Sequence, residues 1–196
     1  MGIDSELIKV SEDIVSISST AREIGWRSIS EQMFHRVLYL VKVLYAFKHP
    51  DENIFNYCHF SVTIYGPYSN LVTRGIAFLC STARLRKDSE GFCLNKIEEI
   101  DIEPEKLAWI KTILHILGQY GERRVFAFIT NDPSYDDAVK TNRVTEMDFS
   151  AESQTIKILN EFKSAFEKAK GNTDSLTDID YIALYFDYVF SEIVKN

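Results

Sequence analysis

The stretch Phe60-Ser-Val-Thr-Ile-Tyr-Gly-Pro-Tyr-Ser-Asn-Leu-Val-Thr-Arg-Gly-Ile-Ala-Phe-Leu-Cys80 constrains the fold more than any other part of the chain. It opens with apolar side chains on alternate residues, Phe60, Val62 and Ile64, the period of a strand. The alternation breaks at Gly66-Pro67, where glycine can take φ > 0 and proline presets its own φ. An amphipathic helix is then expected, with Ser69 as its N-cap. Leu71, Val72, Ile76, Leu79, Cys80 and Ala83 fall on one side of that helix, and Arg74 and Arg84 on the other. Strand, tight turn and helix make a backbone corner. Tyr65, Gly66, Pro67, Tyr68 and Ser69 are its structural residues, the two tyrosines giving it aromatic walls with polar tips.

The flanks extend this unit. Ser30 is the expected cap of a helix running to about Phe47, with Glu31 and Gln32 in its first turn. Met33, Phe34, Val37, Leu38, Val41, Leu44 and Tyr45 recur at helical spacing, and Leu40, Val43 and Phe47 widen the stripe beyond one face. His49-Pro50-Asp51 ends it. On the other flank, Leu85-Arg-Lys-Asp-Ser-Glu-Gly-Phe-Cys-Leu94 reads as a β-hairpin with a polar turn closed by Gly91. Helix, corner, helix and two-stranded wing is the order of a winged helix-turn-helix, so the expected class is α+β, mainly helical, with a helical C-terminal portion. The expected division is an arm or helix over residues 1–29, a winged-helix domain over 30–102 and a helical portion over 103–196. Residues 3–24, with Ile14, Val15, Ile17 and Ile24, are compatible with either a helix or an arm.

Farther along, Glu103-Pro104 starts a helix with proline in its first turn and Leu107, Ile110, Ile113, Leu114 and Leu117 on its apolar face. Gly118 or Gly121 ends it. Arg123-Arg-Val-Phe-Ala-Phe-Ile-Thr130 has strand length and is expected as a strand, helix being the alternative. Asn131-Asp-Pro-Ser is a turn and helix start, leading into a short helix through Tyr135, Ala138 and Val139. Ser150 is the expected cap of a helix over about 151–170 that aligns Ile156, Leu159, Phe162 and Phe166. Gly171-Asn-Thr-Asp is a linker. The last helix, about 177–195, carries two apolar lines: Tyr181, Tyr185 and Tyr188, and Ile182, Phe186, Val189 and Ile193. Either both sides are buried, or one line meets a partner; the three tyrosines are the candidate partner interface.

Reactive chemistry has little behind it. His35, His49, His59 and His115 are scattered without ligand spacing, so no metal site is expected. Cys58, Cys80 and Cys93 form no CxxC and read as buried thiols of a reducing cytoplasm. There is no GxSxG and no GK[ST] phosphate loop. Asp132, Asp136 and Asp137, like Asp174, Asp178 and Asp180, read as solvated helix starts. No catalytic residue and no cofactor are expected. Nor is a membrane partner, since no apolar run approaches the ~20 residues a bilayer requires and the start Met1-Gly-Ile-Asp-Ser lacks the parts of a signal peptide. With net charge −7, the chain as a whole is a poor phosphate binder, and the excess acid lies in its second half. Candidate DNA contacts are confined to Arg74, Arg84, Arg86 and Lys87, on the second helix and wing.

Phe34-His-Arg-Val-Leu-Tyr-Leu-Val41, the corner Tyr65-Gly-Pro-Tyr-Ser69, the helix after it, and the charged turn to Gly91-Phe92 together resemble the winged-helix small subunits of bacterial ABC-three-component systems. These are called middle components, and the small subunit of Lamassu-type anti-phage defence is similar. The corner also resembles Panacea and SocA-like antitoxin domains, from which this chain departs in carrying about 100 further residues. The match covers about residues 30–94, with a weaker echo at Ala138-Val-Lys-Thr-Asn142. The resemblance implies a non-catalytic subunit that joins an SMC-like coiled-coil ATPase to an effector such as a nuclease, with weak or indirect DNA contact. A winged-helix DNA-binding regulator or antitoxin is the alternative.

Overall fold

A computed structural model describes residues 4–96, 101–140, 153–171 and 173–192. The first helix, α1 (Ser5–Glu23), is capped by Asp4, whose carboxylate accepts from Glu6 N at 3.1 Å. The segment expected as a helix or an arm is thus a helix over Ser5–Glu23, and much of it is buried, polar positions included. Ser11, Ser16 and Ser18 hide their hydroxyls by donating back to the carbonyls of Leu7, Glu12 and Ile14 at 2.6–2.8 Å. These small side chains obscure the helical period in the sequence while letting a neighbour approach closely. The helix α3 (Asn70–Ser81) does so at Gly75, where a Cβ would lie 2.8 Å from the Ile14 side chain.

At the centre lies α2 (Glu31–Lys48). Its cap is Ser30, whose Oγ accepts from Met33 N at 3.1 Å, as the sequence suggests. Every residue from Met33 to Phe47 is buried, which accounts for the widened stripe. A strand β1 (Ser61–Thr63) pairs antiparallel with β2 (Gly66–Tyr68), matching Val62 with Pro67 and Thr63 with Gly66. The corner is therefore a hairpin: Gly66-Pro67-Tyr68 is its second strand, Ile64-Tyr65 its tip, and Gly66 takes φ +112°. A two-stranded ribbon has free edges, so proline's missing N–H is tolerated there. Phe60 is buried, Val62 half-buried and Ile64 exposed, so the alternation does not mark one buried face.

After α3, β3 (Leu85–Lys87) and β4 (Phe92–Leu94) form the expected hairpin in the register Leu85↔Leu94, Arg86↔Cys93, Lys87↔Phe92. Ile29 adds a further rung, exchanging two backbone bonds with Phe92 at 2.8–2.9 Å. Next, α4 (Pro104–Gly118) follows the proline signal. Arg123–Thr130 is not a strand but most of the helix α5 (Gly121–Thr130), burying Val125, Phe128 and Ile129. The described strands pair with one another, as β1–β2 and β3–β4, and a helix satisfies the backbone groups that an unpaired strand would leave open.

The chain continues through α6 (Pro133–Lys140), α7 (Gln154–Lys170) and α8 (Asp178–Glu192). Ser153 stands at the N-cap of α7, in place of the expected Ser150, which lies outside the described residues. Both apolar lines of α8 turn inward except at Tyr188: Ile182, Phe186 and Val189 are buried, as are Tyr181 and Tyr185, at 2% and 8% exposure. Ile193 lies outside the described residues. One contiguous cluster of buried side chains runs through α1, α2, α3, α4, α5, α7 and α8. No described helix is long and apolar enough to cross a membrane.

Candidate functional site

The β1–β2 tip projects the most exposed large apolar side chains of the described residues, Ile64 at 83% and Tyr65 at 65% exposure. The backbone beneath them is held from three directions. Arg36, buried in α2, donates through Nη2 to the Tyr65 carbonyl at 3.0 Å. Tyr135 of α6 donates its hydroxyl to the Thr63 carbonyl at 2.6 Å. The Thr63 hydroxyl closes the turn on the Gly66 carbonyl at 2.8 Å. Arg36 is itself fixed by Glu122 at 3.2 Å and by the Phe126 ring, 4.3 Å from its guanidinium carbon. Burial pulls the Arg36 pKa down and Glu122 opposes it. A hydrogen bond of 2.5 Å from Ser30 Oγ to Glu122 ties the cap of α2 into the same chain of contacts. The result is a small apolar knob on a preorganised base, a form suited to insertion in a partner's pocket.

At the foot of this knob sits His35. Its Nδ1 accepts the Ser69 N–H at 3.1 Å and its Nε2 lies 3.4 Å from Thr73 Oγ1, which donates to Glu31 at 3.2 Å. The ring packs on Tyr68 with centroids 5.0 Å apart. Burial, with Arg36 adding to it, lowers the His35 pKa to about 4, so the ring is neutral at pH 7. Ser69 is the N-cap of α3 by position, yet its own hydroxyl makes no cap bond; its backbone N–H is secured by the histidine instead.

Of the candidate DNA contacts, Arg74, Arg86 and Lys87 are exposed and Arg84 is half-buried. Arg74 pairs with Asp4 at 3.3 Å, and the Lys87 ammonium lies 5.4 Å from the centre of the Phe92 ring. The outward line of α3 is Asn70, Arg74, Ala77 and Ser81, a thin set for reading bases. The terminal tyrosines are not brought together as a surface. Tyr181 packs on Phe166 and Tyr185 on Phe128 and Phe162, because α7 and α5 cover α8 from two sides. Only Tyr188, at 51% exposure, faces outward.

Several ionisable groups that the sequence leaves unremarkable form closed networks. Asp13 of α1 is buried with Lys106 of α4 at 2.5 Å, and Tyr57 donates to it. Burial pushes the Asp13 carboxyl up while Lys106 and Tyr57 draw it back. Asp132, expected as a solvated helix start, is buried. It accepts from Tyr39 at 2.9 Å, from Thr155 at 2.8–2.9 Å and from Tyr135 N at 3.2 Å, joining α2, α6 and α7. Asp178 and Asp180 do serve a helix start: Asp180 and Thr177 cap each other, and Asp178 pairs with Lys163. Cys58 is buried, its thiol pushed up to about 12 by desolvation. Among the described residues no three His, Cys, Asp or Glu side chains are grouped as metal ligands would be. Comparison with known protein families, curated proteins and solved structures returns no match.

Proposed function

We propose that this chain is a non-catalytic bridging subunit with a winged-helix core, acting in the bacterial cytoplasm to link an SMC-like coiled-coil ATPase to an effector such as a nuclease in anti-phage defence. The observation that carries the interaction role is the clamped Ile64-Tyr65 knob. Exposed isoleucine and tyrosine held on a fixed backbone lose little conformational entropy on docking, which is where a binding surface gains affinity. Support for the winged-helix core comes from element order. Helix α1, the Ile29 rung, α2, α3, β3, a polar turn and β4 give helix, strand, helix, helix, strand, wing and strand, with the β1–β2 hairpin inserted between α2 and α3. In that reading the core starts at α1 rather than at residue 30. The bridging role and its partners rest on the resemblance of residues 30–94 to middle components.

The test is co-purification of the tagged chain with the neighbouring ATPase and effector subunits. The wild type is expected to retain both, and I64S/Y65S to lose the ATPase with an unchanged melting temperature, because neither side chain supports the core. Retention of the ATPase by I64S/Y65S would exclude the knob. A wild-type monomer that binds neither subunit would exclude the bridging role. The rival reading, a DNA-binding regulator acting through α3, is disfavoured by the sparse outward face of that helix.

A further inference from the structure

A second surface lies beside Ile29. A cleft of about 680 Å³ opens between the end of α1, the segment 25–29 and the wing, within the roughly 300–1,000 Å³ typical of ligand sites. Arg22, Arg27 and Arg86 line it from three different elements, together with half-buried Trp26. All three arginines are exposed, and none has an ion pair with a described residue. Of the nearby carboxylates, Glu23 is paired with Lys111 at 3.3 Å. Asp88 spends its oxygens on the wing turn, accepting from Glu90 N, Gly91 N and Ser28 Oγ at 2.6–2.9 Å. These bonds hold its pKa down to about 2. Glu90 stands exposed at the rim. In an acidic chain this is a local concentration of uncommitted guanidinium groups.

The walls are held in place. The chain leaves α1 by a Schellman turn, with Gly25 at φ +90°, Trp26 N bonded to the Ala21 carbonyl at 2.8 Å and Gly25 N to that of Arg22 at 3.2 Å. That turn sets Trp26 and Arg27 at the mouth. The far end of the segment is pinned by the Ile29–Phe92 bridge and by Ser28 on Asp88. At Gly91 the approach is so close that a Cβ would fall 2.4 Å from the Ile29 carbonyl oxygen.

We infer that this cleft binds single-stranded nucleic acid, the arginines meeting successive phosphates and Trp26 stacking on a base. Guanidinium groups beside an aromatic ring that lines the cleft are the elements of strand binding without sequence preference. A recessed ring reaches an unstacked base but not one inside a duplex, which selects the single strand. This goes beyond the bridging role and uses other residues, so either can fail alone.

The experiment measures anisotropy of fluorescein-labelled oligothymidylate on the full chain across a salt series, with tryptophan emission read in parallel. Wild type is expected to bind at low salt, and R27A/R86A to bind about tenfold more weakly with a log–log salt slope smaller by about 1.4, two contacts at about 0.7 each. K168A/K170A, an equal charge loss on α7, is expected to match wild type. Oligonucleotide should quench the emission of wild type but not of W26F, since Trp109 is buried. Absent binding at low salt, unchanged binding by R27A/R86A, or quenching that survives in W26F would overturn the inference. Equal affinity for thymidine monophosphate, or tighter binding of a duplex, would overturn the strand assignment.

Discussion

His35 illustrates how a single residue turns burial into pH dependence. Its imidazole holds the junction between β2 and α3 as a neutral acceptor, and its pKa falls from 6.5 to about 4 on folding. A protonated Nδ1 could not accept the Ser69 N–H. The unfolded chain therefore binds the extra proton between these two values, and the folded chain does not. The histidine's contribution is fully present above pH 6.5 and is lost as pH falls towards 4, on the order of 3 kcal/mol in total. Urea unfolding from pH 7 to 4 is expected to show this loss in wild type. In H35N, whose amide oxygen can take the same N–H, the difference from wild type should shrink as pH falls. A constant difference across that range would rule out the assigned protonation state.

Among elements, α1 and α4 are locked by the Asp13–Lys106 pair. A buried carboxylate and ammonium at 2.5 Å fix the register of one helix on the other. Lys106→Met leaves Asp13 buried beside Tyr57 alone and is expected to cost about 3–5 kcal/mol, whereas D13L/K106M should recover most of it. A double-mutant cycle by urea unfolding checks both numbers; an additive cycle would show that the pair does not couple the helices. The same scale explains the error at Arg123–Thr130. Its apolar positions fit either period, and only the neighbours decide: with α2, α4, α6 and α8 around it, α5 stacks Phe128 on Phe186 at 4.3 Å.

For the whole molecule, the expected boundary at residue 30 separates segments that share one core. Val10, Ile14, Val15, Ile17 and Ala21 are sealed against the rest of the chain. The four larger of these side chains, at about 1.5–3 kcal/mol each, add up to as much as the whole net stability of an ordinary domain, about 5–15 kcal/mol. A chain beginning at Ser30 is therefore expected not to fold, read as loss of a cooperative thermal transition by circular dichroism. A cooperative melt within a few degrees of the full chain would make α1 an accessory arm after all.

Much was legible where the cause is local. The cap at Ser30, the helix start at Pro104, the stop at His49-Pro50, the hairpin turn closed by Gly91 and the two apolar lines of the last helix are written in neighbouring residues, because capping, backbone restriction and helical period act over a few positions. What escaped depends on residues distant in the chain. Whether Asp132 is solvated or buried, whether Tyr181 faces a partner or Phe166, and whether Arg22, Arg27 and Arg86 share one cleft are settled by which helices pack together. Burial, and with it the shifted pKa values of Asp13, His35, Arg36 and Cys58 and the exposure of the knob, is a property of the assembled core, and no window of sequence contains it.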